Sequence, residues 1–378
     1  MSSALDAAER MAGRLAARSA AMETAGRLPD DVVADLRAGG IGAMWLPAEL
    51  GGAEAPPAEV VDAIATLSAA DGSTGWCAAV ALSTNALAAF LPEPGAREIF
   101  SSPSILSAGS FDAAGRATVD GDGNLRLRGR WRFGSGGSHS DWLSGACLLV
   151  DDHGDPLTDD EGRPRGCLAF FPVSEATIHD TWHASGLRAT ASHDYEVREL
   201  DVPAAHTLPF DFTPWPAGAM WRIPPMPLFF APAAAVALGI ARGAIDDLVE
   251  LAATKTPYRS TRRLAERDVV QAMVARADAA ERSARAFLLE ILGGLGPGTT
   301  LQERAVARLA CVNAASAAAT AVDLCFRAAG TTALFDSHPL QRRHRDIHAL
   351  GQHVVLAFTG YETVGRVMFG LEPDTPLV

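Results

Sequence analysis

The sequence predicts a mostly α-helical chain built around a central β domain, with a helical amino-terminal domain, a β-barrel-like middle and a four-helix bundle at the carboxy terminus. Three observations predict it. Leu125, Leu127, Gly129, Trp131 and Phe133 alternate with Arg126, Arg128, Arg130 and Arg132, a period of two over nine residues that belongs to a half-buried strand. Before residue 100, apolar residues recur at helical spacing between glycine stops. After Met226, four long segments rich in small residues follow one another with short connections, which is the pattern of a bundle. We place the boundaries at 1–100, 101–205 and 206–378.

Each element has its own signal. Ala4 to Ala21 is alanine-rich with Glu and Arg interspersed. Leu28-Pro29-Asp30-Asp31 opens a helix with Val32, Val33 and Leu36 as its stripe, and Gly39-Gly40 stops it. Residues 41–52, IGAMWLPAELGG, form a short turn-bounded segment, and Pro57 to Ala70 is the next helix. Asp71 to Trp76 breaks into a helix from about Cys77 to Phe90 that carries Ser83, Thr84 and Asn85. Thr84 or Asn85 as a substrate partner stands against a polar interruption in a packed helix, and the second reading is favoured. Ser104–Ser110, Leu125–Phe133, Leu143–Val150, Gly166–Phe171 and the stretch from Asp194 read as strands. The turn cluster Asp120-Gly121-Asp122-Gly123 supplies a hairpin. Residues 151–165, rich in acids, Gly and Pro, form an exposed loop. The four bundle helices are Phe229–Ala252, a segment from about Glu266, Leu301–Ala329 and Leu340–Leu356.

Composition narrows the classes. With 378 residues, 48% of them hydrophobic, the chain can bury a sizeable core. Its net charge of −13 argues against nucleic acid as the main partner. Lys255 is the only lysine, so arginines carry any phosphate recognition. The five cysteines have no metal-like spacing and read as buried small hydrophobes in a reducing cytoplasm. Neither a signal-type amino terminus nor an uninterrupted membrane-spanning run is read.

The strand 125–133 runs into Gly134-Ser135-Gly136-Gly137, whose bare amides admit a flat ligand. The run W-R-F-G-S-G-G-S-H-S-D-W, residues 131–142, resembles the flavin-binding strand of the acyl-CoA dehydrogenase superfamily. It looks most like the branch of flavin-dependent monooxygenases whose reduced flavin comes from a separate reductase, the hydroxyphenylacetate hydroxylase and dibenzothiophene monooxygenase type. P-D-D-V-V-A-D-L-R-A-G-G-I-G near the amino terminus and W-x-x-x-G-L-R-x-T-x-S-H-D from Trp182 are similar to the same family. The resemblance implies that the backbone and hydroxyl of Gly134 and Ser135 bind the flavin ring, that Phe133 lies against it, and that Trp182 is its neighbour or, on equal terms, an ordinary sheet tryptophan. It implies reduced FMN as the flavin (FAD is the alternative), O2 and a small aromatic or amine substrate as co-reactants, a flavin reductase as partner, and a cytoplasmic homotetramer. Arg259 stands where the family has an arginine that reaches the flavin phosphate of a neighbouring subunit, although the segment reads R-S-T-R-R.

The last bundle helix carries the candidate catalytic group. By resemblance R-D-x-x-x-x-x-x-H sets His353 at the flavin's reactive edge. On a continuous helix it lies nine residues, about 180°, from His344. His344 and His348 share a face at i,i+4, but without a third ligand in view the expectation is no metal. A dehydrogenase needs a carboxylate to take an α-proton; its two usual positions fall at Val354 and at Phe230-Ala231, and Glu362 reads as structural. The expected activity is therefore monooxygenation through a flavin hydroperoxide, with His353 and Ser135 catalytic. An acyl-CoA dehydrogenase or oxidase, and a non-catalytic protein of this fold, are the alternatives.

Overall fold

The first helix is set by its cap. The Ser3 hydroxyl accepts from Asp6 N–H while the Asp6 carboxylate accepts from Ser3 N–H, and α1 (Ala4–Ala25) runs to Gly26 at φ +66°. The computed structural model describes residues 3–375 and 377–378. The chain continues through α2 (Asp30–Ala38), 3-10 turns at Ile41–Ala43 and Ala48–Leu50, α3 (Pro57–Ala70), α4 (Gly72–Asn85) and α5 (Glu93–Ile99). Helix α4 begins five residues before the sequence reading placed it. Asp71 is its cap, accepting from Thr74 N and Oγ1, and its glycines serve packing: a Cβ on Gly75 would meet Ser68 Oγ at 1.9 Å.

The central sheet contains β1 (Ser107–Val119), β2 (Leu125–Gly134), β3 (Trp142–Leu149), β4 (Gly166–Pro172), β5 (Thr177–His179), β6 (His193–Val202) and β7 (Thr207–Pro209), ordered β5-β6-β2-β1-β3-β4-β7. β1 and β3 are parallel and the other pairs antiparallel. The β1–β2 hairpin turns where Asp120–Gly123 indicated. β1 continues nine residues past Ser110, because its register breaks between Ser110 and Gly115 and the exposed residues there hide the alternation. β5 and β7, three residues each, are too short to show a period. In β2 Leu125, Leu127 and Trp131 are buried as the alternation requires. Phe133 is not: it is 59% exposed and sits at φ +64°, so the strand twists out of phase at its last side chain. Trp131 stacks on Tyr195 at 5.4 Å and donates to Ala146 O, centring a core that belongs to the sheet.

A second, larger core joins the amino-terminal helices to the carboxy-terminal ones. The latter are α6 (Pro225–Thr254), α7 (Asp268–Gly294), α8 (Leu301–Ala329), α9 (Pro339–Leu350) and α10 (Thr359–Met368). Two stretches, Pro225–Thr254 and Leu301–Leu334, are long and apolar enough to cross a membrane, but the most apolar window of the first is 89% buried among other helices. Its composition is that of a bundle core. Helix α9 ends at Leu350, six residues before the predicted stop. Residues 351–358 are turns, so His353 is not on the helix and the half-turn offset from His344 does not apply. Helix α10 was not foreseen.

Candidate active site

Four elements converge on Ser135. β2 delivers the glycine turn, α4 delivers Trp76, the loop 182–192 delivers Thr190 and Ser192, and the turn after α9 delivers His353. Trp76 Nε1 donates to Ser135 Oγ at 2.9 Å, Ser135 Oγ lies 2.7 Å from Ser192 Oγ, Ser192 Oγ lies 2.6 Å from Thr190 Oγ1, and Thr190 Oγ1 donates to Leu187 O at 2.7 Å. Each hydroxyl has one proton, and both ends of the chain are fixed: an indole N–H only donates and a carbonyl only accepts. The protons therefore run one way, Trp76 to Ser135 to Ser192 to Thr190 to Leu187. Ser135, buried at 6% exposure, gives its proton to Ser192 and offers a ligand only acceptor capacity.

The indole of Trp76 also meets the imidazole of His353 edge to face at 4.9 Å. His353 is an exposed residue whose ring is nonetheless crowded by protein. Loss of water around it, and after that the charge of Arg308, push its imidazolium pKa down to about 4, so the ring is neutral at physiological pH. Val355 N–H approaches Nδ1 at 3.5 Å, and Nε2 has no partner among the described residues. Arg308 itself is buried. It donates to Val354 O at 2.7 Å, lies 4.8 Å over the Phe230 ring, and leaves Nε and Nη1 unpaired.

The loop 182–192 is held from behind. Leu187, at φ +51°, donates its N–H to the Asp346 carboxylate at 2.6 Å, and Arg345 donates to Ser185 O at 2.6 Å while pairing with Glu23. Burial raises the Asp346 carboxyl to about 7. Trp182 Nε1 donates to Leu187 O, and its ring meets exposed Phe133 edge to face at 6.2 Å. Gly136 N–H, on a residue at φ +72°, donates to Thr190 O. The result is an apolar rim of Phe133 and Trp182 beside a floor of buried hydroxyls, with a neutral imidazole at one edge. That arrangement fits a flat heteroaromatic ring with polar edge atoms.

Phe133, Gly134, Ser135, Trp182 and His353 thus lie around one region. Arg259 does not join them. It is exposed at φ +59° on the α6–α7 connection beside Tyr258, and α6 alone, from Phe230 to Thr254, spans about 36 Å. Asn85 is occupied elsewhere: it donates to Gly42 O and Ile105 O and accepts from Ser107 N and Oγ. Trp76, Ser192, Thr190, Arg308 and Asp346 were given no role from the sequence. Only the R-D and T-x-S fragments of the quoted motifs pointed towards any of them. Asp141, in the S-D-W fragment, accepts from Arg37 of α2 at 2.5 Å and from Leu106 N–H, joining the first helices to the sheet.

The indole-3-acetate monooxygenase of Pseudomonas putida is 31% identical over 350 residues, covering 91% of this chain and 87% of that protein. The chain belongs to the flavin-dependent monooxygenases of the acyl-CoA dehydrogenase superfamily. The family described as acyl-CoA dehydrogenase, C-terminal domain, matches residues 231–358. The oxygenase component of the FADH(2)-dependent resorcinol hydroxylase of Rhizobium sp. is 29% identical over 396 residues, covering 96% of this chain and 95% of that one. Among solved structures, XiaF from Streptomyces sp. in complex with FADH2 and glycerol superposes with a TM-score of 0.91 at 26% identity, covering 99% and 96% of the two chains. The 3-HSA hydroxylase from Rhodococcus sp. RHA1 shares the fold, with a TM-score of 0.89 at 24% identity over 100% and 99% of the chains. Val354, at which the sequence resemblance sets a dehydrogenase's glutamate, follows His353 in the turn after α9. Its side chain is 57% exposed and its carbonyl is bound by Arg308.

Proposed function

We propose that this monooxygenase is the oxygenase component of a two-component system, taking reduced flavin from a separate reductase and inserting one atom of O2 into a small aromatic substrate. The balance is substrate–H plus O2 plus reduced flavin to substrate–OH, water and oxidised flavin. Reduced flavin, when bound, supplies the two electrons that activate O2. The single observation that carries the reading is the meeting of Ser135, Trp76 and His353 in place of the carboxylate a dehydrogenase requires. Gly134 and Ser135 present backbone and an accepting hydroxyl to the ring, and Phe133 and Trp182 cover it. Reduced FMN fits this set, as does FADH2, which the neighbour XiaF binds.

A histidine held neutral is a weak base but a good hydrogen-bond donor. Its role is therefore to hold the oxygen being transferred rather than to store a proton. Arg308, buried and without a carboxylate partner among the described residues, projects positive potential behind His353. That favours substrates that carry or develop negative charge, such as phenols and aromatic acids.

Assembly and place complete the proposal: a homotetramer in the cytoplasm, with Arg259 serving a neighbouring subunit's flavin phosphate. Supporting it are exposed apolar side chains on the carboxy-terminal region, among them Tyr258, Phe335, Phe358, Met368 and Phe369.

His353→Ala tests the reading. Coupled product formation should fall by roughly 10²–10⁴-fold, with hydrogen peroxide release rising and reduced-flavin binding nearly unchanged. Full coupled turnover by the variant on an identified substrate would refute the role.

A further inference from the structure

The two histidines that share a face of α9 have a third companion. Asp323, on α8, places Oδ1 2.9 Å from His348 Nε2 and 3.3 Å from His344 Nε2, and the three atoms lie within 4.8 Å of one another. We propose that Asp323, His344 and His348 bind one divalent transition-metal ion of the zinc class, clamping α9 to α8. This site is separate from the flavin region and does not depend on the function proposed above.

The spacing carries the proposal. Bonds of about 2.0–2.2 Å to a zinc-class ion set neighbouring donors roughly 3.0–3.5 Å apart; the 3.3 Å separation of Asp323 from His344 lies in that range, and the 2.9 Å one from His348, a hydrogen bond, opens slightly when an ion takes its place. Only the two imidazoles must close further, by side-chain rotation of half-exposed His348. Two imidazoles and one carboxylate suit zinc, nickel or ferrous ions; magnesium and calcium ask for oxygen ligands throughout. Three protein ligands leave room for water on an ion at the protein surface. The Phe326 ring packs on His344 at 4.4 Å and limits its movement. The neighbouring positions of α9 carry Arg345 and Asp346, which hold the loop 182–192. An ion here would stiffen the helix that supports that loop.

The test uses the full chain, stripped with a strong chelator, dialysed, and titrated with zinc against a weak competing chelator that removes loosely held ions. Bound metal is counted by elemental analysis and stability is read from thermal unfolding. We expect one zinc per chain and a raised unfolding midpoint, with equal magnesium having no effect. His348→Gln, at the most exposed ligand, and Asp323→Asn should each weaken zinc binding at least about 10-fold. Absence of stoichiometric zinc, wild-type affinity in the folded His348→Gln variant, or equal stabilisation by magnesium would overturn the site. Should Asp323→Asn fail to fold, His348→Gln decides the matter alone.

Discussion

Ser135 shows how far a single side chain can be read. A serine after a strand and before two glycines suggests a ligand hydroxyl, but its proton is committed to Ser192 by the direction that Trp76 and Leu187 impose. Removing it leaves the buried Trp76 indole N–H without its acceptor and takes from Ser192 the hydroxyl that donates to it, while Ser192 still donates to Thr190. Ser135→Ala should therefore cost about 1–3 kcal/mol of stability, read as a lowered thermal midpoint, and weaken reduced-flavin binding. A variant as stable as wild type would show that the hydroxyl chain does not hold the site together. Asp346 gives a pH-dependent counterpart. Its carboxyl is raised from 3.8 to about 7 in the fold, so between those values the folded state holds a proton that the unfolded state has lost. Its contribution to stability is present below about pH 4, falls as pH rises to about 7, and is then flat. Asp346→Asn keeps an acceptor for Leu187 N–H and removes the ionisation. The stability difference between wild type and variant should shift in the variant's favour across that window, and a difference that does not vary with pH would contradict the burial argument.

Among the elements, α6 and α9 carry the most instruction. Small residues on α6 indicated close helix contact, and the contact is with α3: a Cβ on Gly239 would fall 2.3 Å from Ala65 O and 2.6 Å from Ser68 Cβ. Alanine at that position gains up to about 1 kcal/mol in helix propensity, while forcing the helices apart costs about 1–3 kcal/mol or more. Gly239→Ala should therefore lower the thermal midpoint. Gly13→Ala, on the exposed side of α1 with nothing within 4 Å, should raise it. Helix α9 taught the opposite lesson. The sequence reading carried the fourth bundle helix to Leu356, yet Gly351 closes it and the turn that follows carries His353. A periodic pattern continues through a turn that packs against the same core, so spacing alone does not separate a helix from its continuation in turns.

At the scale of the whole molecule, the flavin is the variable. Arg259 lies beyond the far end of α6 from the Ser135 region, and the proposal gives it to a neighbouring subunit's flavin, so phosphate binding and assembly are tested together. Sedimentation at micromolar concentration should show a tetramer. A monomer that still binds flavin tightly would remove both the assembly and the role of Arg259. Titration should show reduced FMN binding more tightly than oxidised FMN, as suits a flavin that arrives reduced and leaves oxidised. Equal affinity for the two forms would count against the two-component reading.

The amino-acid order alone determined the strand 125–133, its hairpin turn, and the limits of Pro57–Ala70 and Leu301–Ala329, because these depend on local periodicity and on breakers a few residues away. It also singled out Ser135, Trp182 and His353, through fragments of sequence similar to a known family. The direction of the hydroxyl chain, the neutrality of His353 beside Arg308, the support of the loop 182–192 by Asp346, and the joining of Asp323 to His344 and His348 were decided only by the tertiary structure. Each depends on residues far apart along the chain: 59 positions separate Trp76 from Ser135, 45 separate Arg308 from His353, 159 separate Leu187 from Asp346, and 21 separate Asp323 from His344. Hydrogen-bond direction, burial and charge are properties of such meetings, and no local pattern encodes which distant side chains will meet.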